Sequence, residues 1–144
     1  MAEFRSSGID ETIRALEKAS LFDDDAAERL LERGSSLFVT TVQREMERAP
    51  YRLGSILQKV ARKGRKIKRD KNGDPYVAVT INGKNKRGER NAAVAFVLNY
   101  GRRPETGAIA PAHFWTRAKQ QTAEALPQAY AEVAEQIYQE RGLS

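Results

Sequence analysis

Between Asp23 and Pro50, the residues Ala27, Leu31, Phe38, Val42 and Met46 return every three or four positions, and no other stretch constrains the fold as strongly. That period is helical, so it predicts one long amphipathic helix over residues 22–50 whose apolar stripe the rest of the molecule must cover. The stripe is broken only at residues 34–36, Gly-Ser-Ser. Asp23, Asp24 and Asp25 stand where a cap and the positive end of the helix dipole favour carboxylates. Pro50 opposes helical backbone at Ala49. Read as a metal site, the three aspartates need ligands from elsewhere, whereas a helix start accounts for them alone.

A chain of 144 residues, 40% of them apolar, has room for one domain and one modest core to cover that stripe. The longest apolar run is seven residues, 92–98, too short to span a bilayer, and residues 1–7 lack the apolar segment of an export signal. No membrane partner is expected. There is no Cys, which excludes a disulfide framework, a thiolate metal site and a Cys nucleophile.

Charge is segregated along the chain. The net charge is +6, but residues 1–50 hold 7 basic and 11 acidic side chains, residues 59–90 hold 12 and 3, and residues 91–144 hold 5 and 5. A basic segment therefore separates an acidic helical zone from a neutral one. In the first zone Ile9, Ile13 and Leu16 follow Gly8 at helical spacing and predict a short helix within residues 1–21, ending near Ser20. In the basic zone Tyr76-Val77-Ala78-Val79-Thr80-Ile81 is alternating, β-branched and bounded by Pro75 and Asn82-Gly83, the pattern of a strand. Its partner is expected at residues 65–69, reached through Asn72-Gly73 by a three- or five-residue turn that sets Ile67 opposite Val79. Residues 84–90, without an apolar side chain, read as a mobile loop.

The run at 92–98 fits a buried strand or a helix over 91–101; its three alanines are poor strand formers and favour the helix, with Asn91 as cap and Gly101 at the C-terminal end. Pro111 can open a last helix over 111–141 with the stripe Phe114, Ala118, Leu126, Tyr130, Val133 and Ile137, kinked at Pro127. No internal repeat is visible. The expected architecture is a single α+β domain in which the long helix and the C-terminal helix pack on a small antiparallel sheet, with a basic β-hairpin projecting.

Catalytic chemistry finds little footing. The one histidine, His113, reads as a helix N-terminal residue and offers no zinc-type set within one chain. No nucleophile elbow, phosphate loop or dinucleotide fingerprint is present. Glu105, Asp70 and Asp74 lie in loops without a paired group. No catalytic residue, metal or cofactor is expected. The basic cluster of Arg62, Lys63, Arg65, Lys66, Lys68, Arg69, Lys71, Lys84, Lys86, Arg87 and Arg90 has donors spaced for phosphates, which would make a small basic nucleic-acid-binding protein. It holds no aromatic for base stacking. The competing reading is an assembly surface that meets an acidic patch, such as the acidic helix of a neighbouring copy.

The succession Ala49-Pro50, Leu53-Gly54-Ser55-Ile56, Ala95-Phe96-Val97-Leu98-Asn99-Tyr100-Gly101 and Ile109-Ala110-Pro111-Ala112-His113-Phe114-Trp115 with Ala118 resembles the tail-component family of long-tailed bacteriophages and prophages. These are minor neck and head–tail joining (tail completion) proteins. The resemblance covers about residues 8–140. It makes Pro50, Gly54, Phe96, Tyr100, Gly101, Pro111, Phe114 and Trp115 motif and packing positions. Leu53, Asn99 and Arg102 depart from the family's habit of Thr, an acid and Thr at those places. The resemblance implies a non-enzymatic structural subunit that oligomerises into a ring between the head connector and the tail tube and can be a monomer in isolation. Its partners would be other copies of itself and neighbouring connector and tail proteins, with DNA contacted at most weakly and without specificity. Its location would be the virion, and the bacterial host cytoplasm during assembly.

Overall fold

The computed structural model describes residues 4–7 and 11–141. The elements run β1 (Phe4–Ser7), α1 (Glu11–Lys18), α2 (Asp24–Arg48), α3 (Gly54–Leu57), β2 (Val60–Arg62), β3 (Lys68–Arg69), β4 (Pro75–Ile81), α4 (Asn91–Tyr100), a short 3-10 turn (Pro104–Thr106) and α5 (Phe114–Glu140). The fold is α+β, as the sequence predicts.

The long helix begins and ends for the predicted reasons. Asp23 caps α2 by accepting a hydrogen bond from Ala26 N (2.9 Å), with Asp24 and Asp25 in the first turn. Ala49, the residue before Pro50, takes extended backbone (φ −68°, ψ 151°) and closes it. Gly34 and Ser35, where the apolar stripe is broken, are buried all the same. α2 carries the sheet on one side and α5, antiparallel, on the other, so it is the element that joins the two.

Two cores share this helix. One gathers Phe38, Val42 and Met46 of α2, Val79 and Ile81 of β4, Ala92 and Ala95 of α4, and Phe114, Trp115 and Ala118 of α5. The Phe38 and Trp115 rings meet edge to face at 4.9 Å. The other joins Ile13 and Leu16 of α1, Ala26 and Leu30 of α2, and Tyr130, Val133, Ala134 and Ile137 of α5. Beside the first core Glu45, 5% exposed at its side chain, accepts from Gln121 Nε2 (2.7 Å) and Arg117 Nε (3.1 Å). The Gln121 bond first, and then Arg117, hold its carboxyl below the ordinary glutamate value against the opposing effect of burial. At the far end Arg29 donates to both oxygens of Glu140 (2.6 and 3.1 Å).

The sheet differs from the expected hairpin. β4 is its centre, with β1 on one edge and β2 on the other, all antiparallel. No strand was expected within residues 1–21 or at 60–62; the predicted N-terminal helix is confined to Glu11–Lys18, and Gly8 and Ile9 lie outside the described residues. β3 is only two residues long and takes over β2's edge at the start of β4, pairing Lys68 with Tyr76 and Arg69 with Pro75. Arg62, not Ile67, stands opposite Val79. Five residues separate Arg62 from Lys68 where two separate Val79 from Tyr76, so the edge carries a wide bulge that resets the register.

α4 is the helix that its alanines favour. Asn91 does not cap it; Arg90 holds that position, and Asn91 Nδ2 donates to Asn82 O (3.0 Å). α5 starts at Phe114, three residues after Pro111, and continues through Pro127.

Candidate functional site

The eleven basic residues singled out in the sequence do not form one surface. β4 is seven residues long, about 20 Å of extended chain, and the charges collect at its two ends. At its start the bulge and β3 lie against the acidic flank of α2. Arg62 donates to Glu28 and Glu32, and its Nη2 also reaches Arg65 O (2.9 Å). The Glu28 hydrogen bond is the main reason the Arg62 guanidinium holds its proton more tightly than usual. Arg69 donates to Asp24 Oδ1 (2.8 Å) and Gly73 O (3.0 Å). Arg65, Lys66 and Ile67 share a shallow groove with Asp24 and Glu28. The expected projecting hairpin is thus tied along one side to its own chain's carboxylates. Lys63, Lys68 and Lys71 remain exposed.

Beyond the end of β4 the second basic group is built on a turn that repeats the first. In Asp70-Lys71-Asn72-Gly73-Asp74, Asp70 Oδ1 accepts from the backbone N–H of Asn72 (2.8 Å) and Asp74 (3.0 Å), Gly73 N donates to Asp70 O (3.0 Å), and Asp70 N to Asp74 O (3.0 Å). In Asn85-Lys86-Arg87-Gly88-Glu89, Asn85 Oδ1 accepts from Arg87 N (2.9 Å) and Glu89 N (3.0 Å), Gly88 N donates to Asn85 O (3.0 Å), and Asn85 N to Glu89 O (2.8 Å). Gly73 and Gly88 have φ of 82° and 80°, the left-handed position that ends such a three-residue turn. The segment read as a mobile loop is therefore a hydrogen-bonded hairpin tip, flanked by a bridge between Lys84 and Arg90. The pattern Asp/Asn-Lys-x-Gly-Asp/Glu, written twice in the sequence, was the signal for it. Lys84, Asn85, Lys86 and Arg87 line an open groove of about 680 Å³ with Lys59 and Ser55.

The motif positions divide into a joint and a surface. Asn99, 1% exposed, accepts from Trp115 N (2.8 Å) and donates to Thr116 Oγ1 (3.2 Å), so a side chain at the end of α4 caps the start of α5. His113 precedes α5 with left-handed backbone (φ 53°) and donates its N–H to Asn99 O (3.0 Å). Gly101 has φ 81°, and a β-carbon there would stand 2.7 Å from Ile109 O and 3.0 Å from Pro111 Cδ. Phe114 and Trp115 are buried in the first core. Pro50 follows the end of α2, and Tyr51 next to it donates to Ala110 O (2.5 Å). Gly54 opens α3, and a β-carbon there would meet nothing within 4 Å, so no contact explains a glycine at that place.

Phe96 and Tyr100 line a small cavity with Ile81, Phe114 and Trp115 on one side and are open on the other. They are 45% and 46% exposed, and their rings touch at 4.8 Å. On α4, Ala92, Ala95 and Asn99 face the core, whereas Ala93, Phe96, Val97 and Tyr100 fall on another side at helical spacing. Among these Ala93, Phe96 and Tyr100 are exposed and Val97 half-buried.

Among the acidic candidates Asp23 and Asp70 have structural partners. Asp23 caps α2 and accepts from Arg141 (3.0 Å); the Ala26 N–H first, and then Arg141, hold its carboxyl below the ordinary aspartate value. Asp70 is the hub of its turn. Among the described residues no three of His, Cys, Asp and Glu are placed to hold a metal ion, and no helix is long and apolar enough to cross a membrane. The chain matches no protein-family model, no curated protein and no solved structure.

Proposed function

We propose that this chain is a non-enzymatic structural subunit of a phage virion, of the neck or tail-completion kind, that works by oligomerising into a ring at the head–tail joint. The observation that carries the assembly part is the uncovered apolar side of α4, with Phe96 and Tyr100 half-exposed as a touching pair. The placement in a virion rests on the sequence resemblance, whose joint residues Gly101, Pro111, Phe114 and Trp115 meet at the α4–α5 junction.

Covering the exposed half of each ring is worth only about 1 kcal/mol. A single contact through α4 is therefore weak, and the subunit associates in a concentration-dependent way, closing stably where several contacts act together. Light scattering and sedimentation across a wide concentration range test this. Association is expected to rise with concentration and to vanish in Phe96→Glu/Tyr100→Glu, both positions being exposed and tolerant of charge. A protein that stays monomeric at every concentration, or a variant that associates like the parent, overturns the reading.

A further inference from the structure

We infer that the groove between α3, the tip at residues 84–90 and α4 is a binding site for the phosphodiester backbone of a nucleic acid. The grooves at the two ends of β4 differ in the acids that they hold, Asp24 and Glu28 at its start and Glu89 alone past its end. Arg62, opposite Val79, and Arg69, at the start of β4, are spent on Glu28, Glu32 and Asp24, and Arg65 and Lys66, unengaged through their head groups among the described residues, share their groove with Asp24 and Glu28. Around the groove, Lys59, Lys84, Lys86 and Arg87 make no hydrogen bond or ion pair through their head groups among the described residues. The one carboxylate lining it, Glu89, accepts from Asn85 Nδ2 (3.2 Å). Four cations thus face one acid across about 680 Å³ of open space, enough for a phosphate and its sugar.

The groove is also preorganised. Asn85 fixes the backbone of Arg87 and Glu89, and Asn91 N–H and Nδ2 hold the tip's base to Gly83 O and Asn82 O (both 3.0 Å). Two successive cations on a rigid tip keep their spacing when a ligand arrives, so little ordering opposes binding. A nucleic acid presents a row of singly charged phosphates that such a groove can track, contacts that carry no sequence information, and the absence of aromatic residues from its lining leaves no platform for stacking a base. Binding is therefore weak, blind to sequence and steeply dependent on salt.

Fluorescence anisotropy with a labelled DNA duplex, titrated at several salt concentrations, tests the site. Lys84→Ala/Lys86→Ala/Arg87→Ala is expected to weaken binding at least about tenfold and to flatten the dependence of log K on log salt by about 2 to 3, one unit for each lost phosphate contact. Lys66→Ala/Lys68→Ala, at the other end of β4, is expected to change little. Equal losses in both variants, or none in the first, overturn the site. Polyglutamate that competes as well as duplex DNA at equal charge overturns the phosphodiester assignment in favour of an acidic protein surface. The site does not depend on assembly: Phe96→Glu/Tyr100→Glu is expected to retain DNA binding, so failure here and failure of oligomerisation are read separately.

Discussion

The two ends of β4 carry similar turns and similar densities of Lys and Arg, yet one end faces its own chain's acids and the other faces open space. Arg62, opposite Val79 where the bulge begins, lies between Glu28 and Glu32, one helical turn apart on α2, and at the start of β4 Arg69 lies beside Asp24. Past its end, the tip at 84–90 leans toward α3 and α4, whose lining residues in the groove are neutral: Ser55, Asn91 and Val94. A count of charges gives residues 62–71 seven cations and residues 84–90 four, but the packing partner decides which groove is left without acids from another element. An acidic helix and a basic hairpin in one chain need no second copy to find each other, and here part of the attraction is satisfied internally.

The sharpest way to break the contrast is Arg62→Ala. Its side chain is 15% exposed and two glutamates depend on it, so unfolding in urea is expected to show a loss of about 1–2 kcal/mol, less than for a fully buried ion pair because both acids are partly solvated. A loss below 0.5 kcal/mol would make the two ends energetically alike.

The turns sharpen the contrast from the other side. Asp70→Ala and Asn85→Ala each remove an acceptor shared by two backbone N–H groups, and each is expected to cost about 1 kcal/mol by the same measurement. Equal costs would place the difference between the ends in ion pairing alone.

Acid gives a smaller effect with a definite sign. Glu45, Glu140 and Asp23 are all held below their ordinary values, by Gln121, Arg29 and the Ala26 N–H respectively. A lowered folded value means that the unfolded chain binds protons first, so the stabilisation is complete above the ordinary values of 4.5 and 3.8 and is lost as pH falls through the folded ones. Thermal melts from neutral to acid pH are expected to show this decline equally in the parent and in Lys84→Ala/Lys86→Ala/Arg87→Ala, because none of these three carboxylates lies at the 84–90 end. In neutral buffer that triple variant is expected to melt within about 0.5 kcal/mol of the parent. A larger loss would show that the free cations are structural after all.

Much of the fold was legible because single residues dictate it. Asp23 and Pro50 bound α2, the β-branched run made β4, and the alanines at 92–95 favoured helix. The short strands were not legible. β2 and β3 hold three and two residues, too few to show a period, and their register depends on a bulge with no side-chain signature. At the candidate sites, residue type was readable and availability was not. Lys59 entered the groove from outside every motif and Ser55 from a stretch that carried only the resemblance, and Phe96 and Tyr100, aromatic in a helical run, gave no sign that they faced outward. Burial is decided by which side of α4 meets β4 and α5, and that is a property of the whole fold.

The amide of Trp115, hydrogen-bonded to Asn99 Oδ1 beneath the junction of α4 and α5, can trade its proton for deuterium only when those helices part. Its exchange rate is therefore a direct clock for that separation. If α4 is gripped by a neighbouring subunit through Phe96 and Tyr100, the clock should slow, although Trp115 itself touches no one outside its own chain.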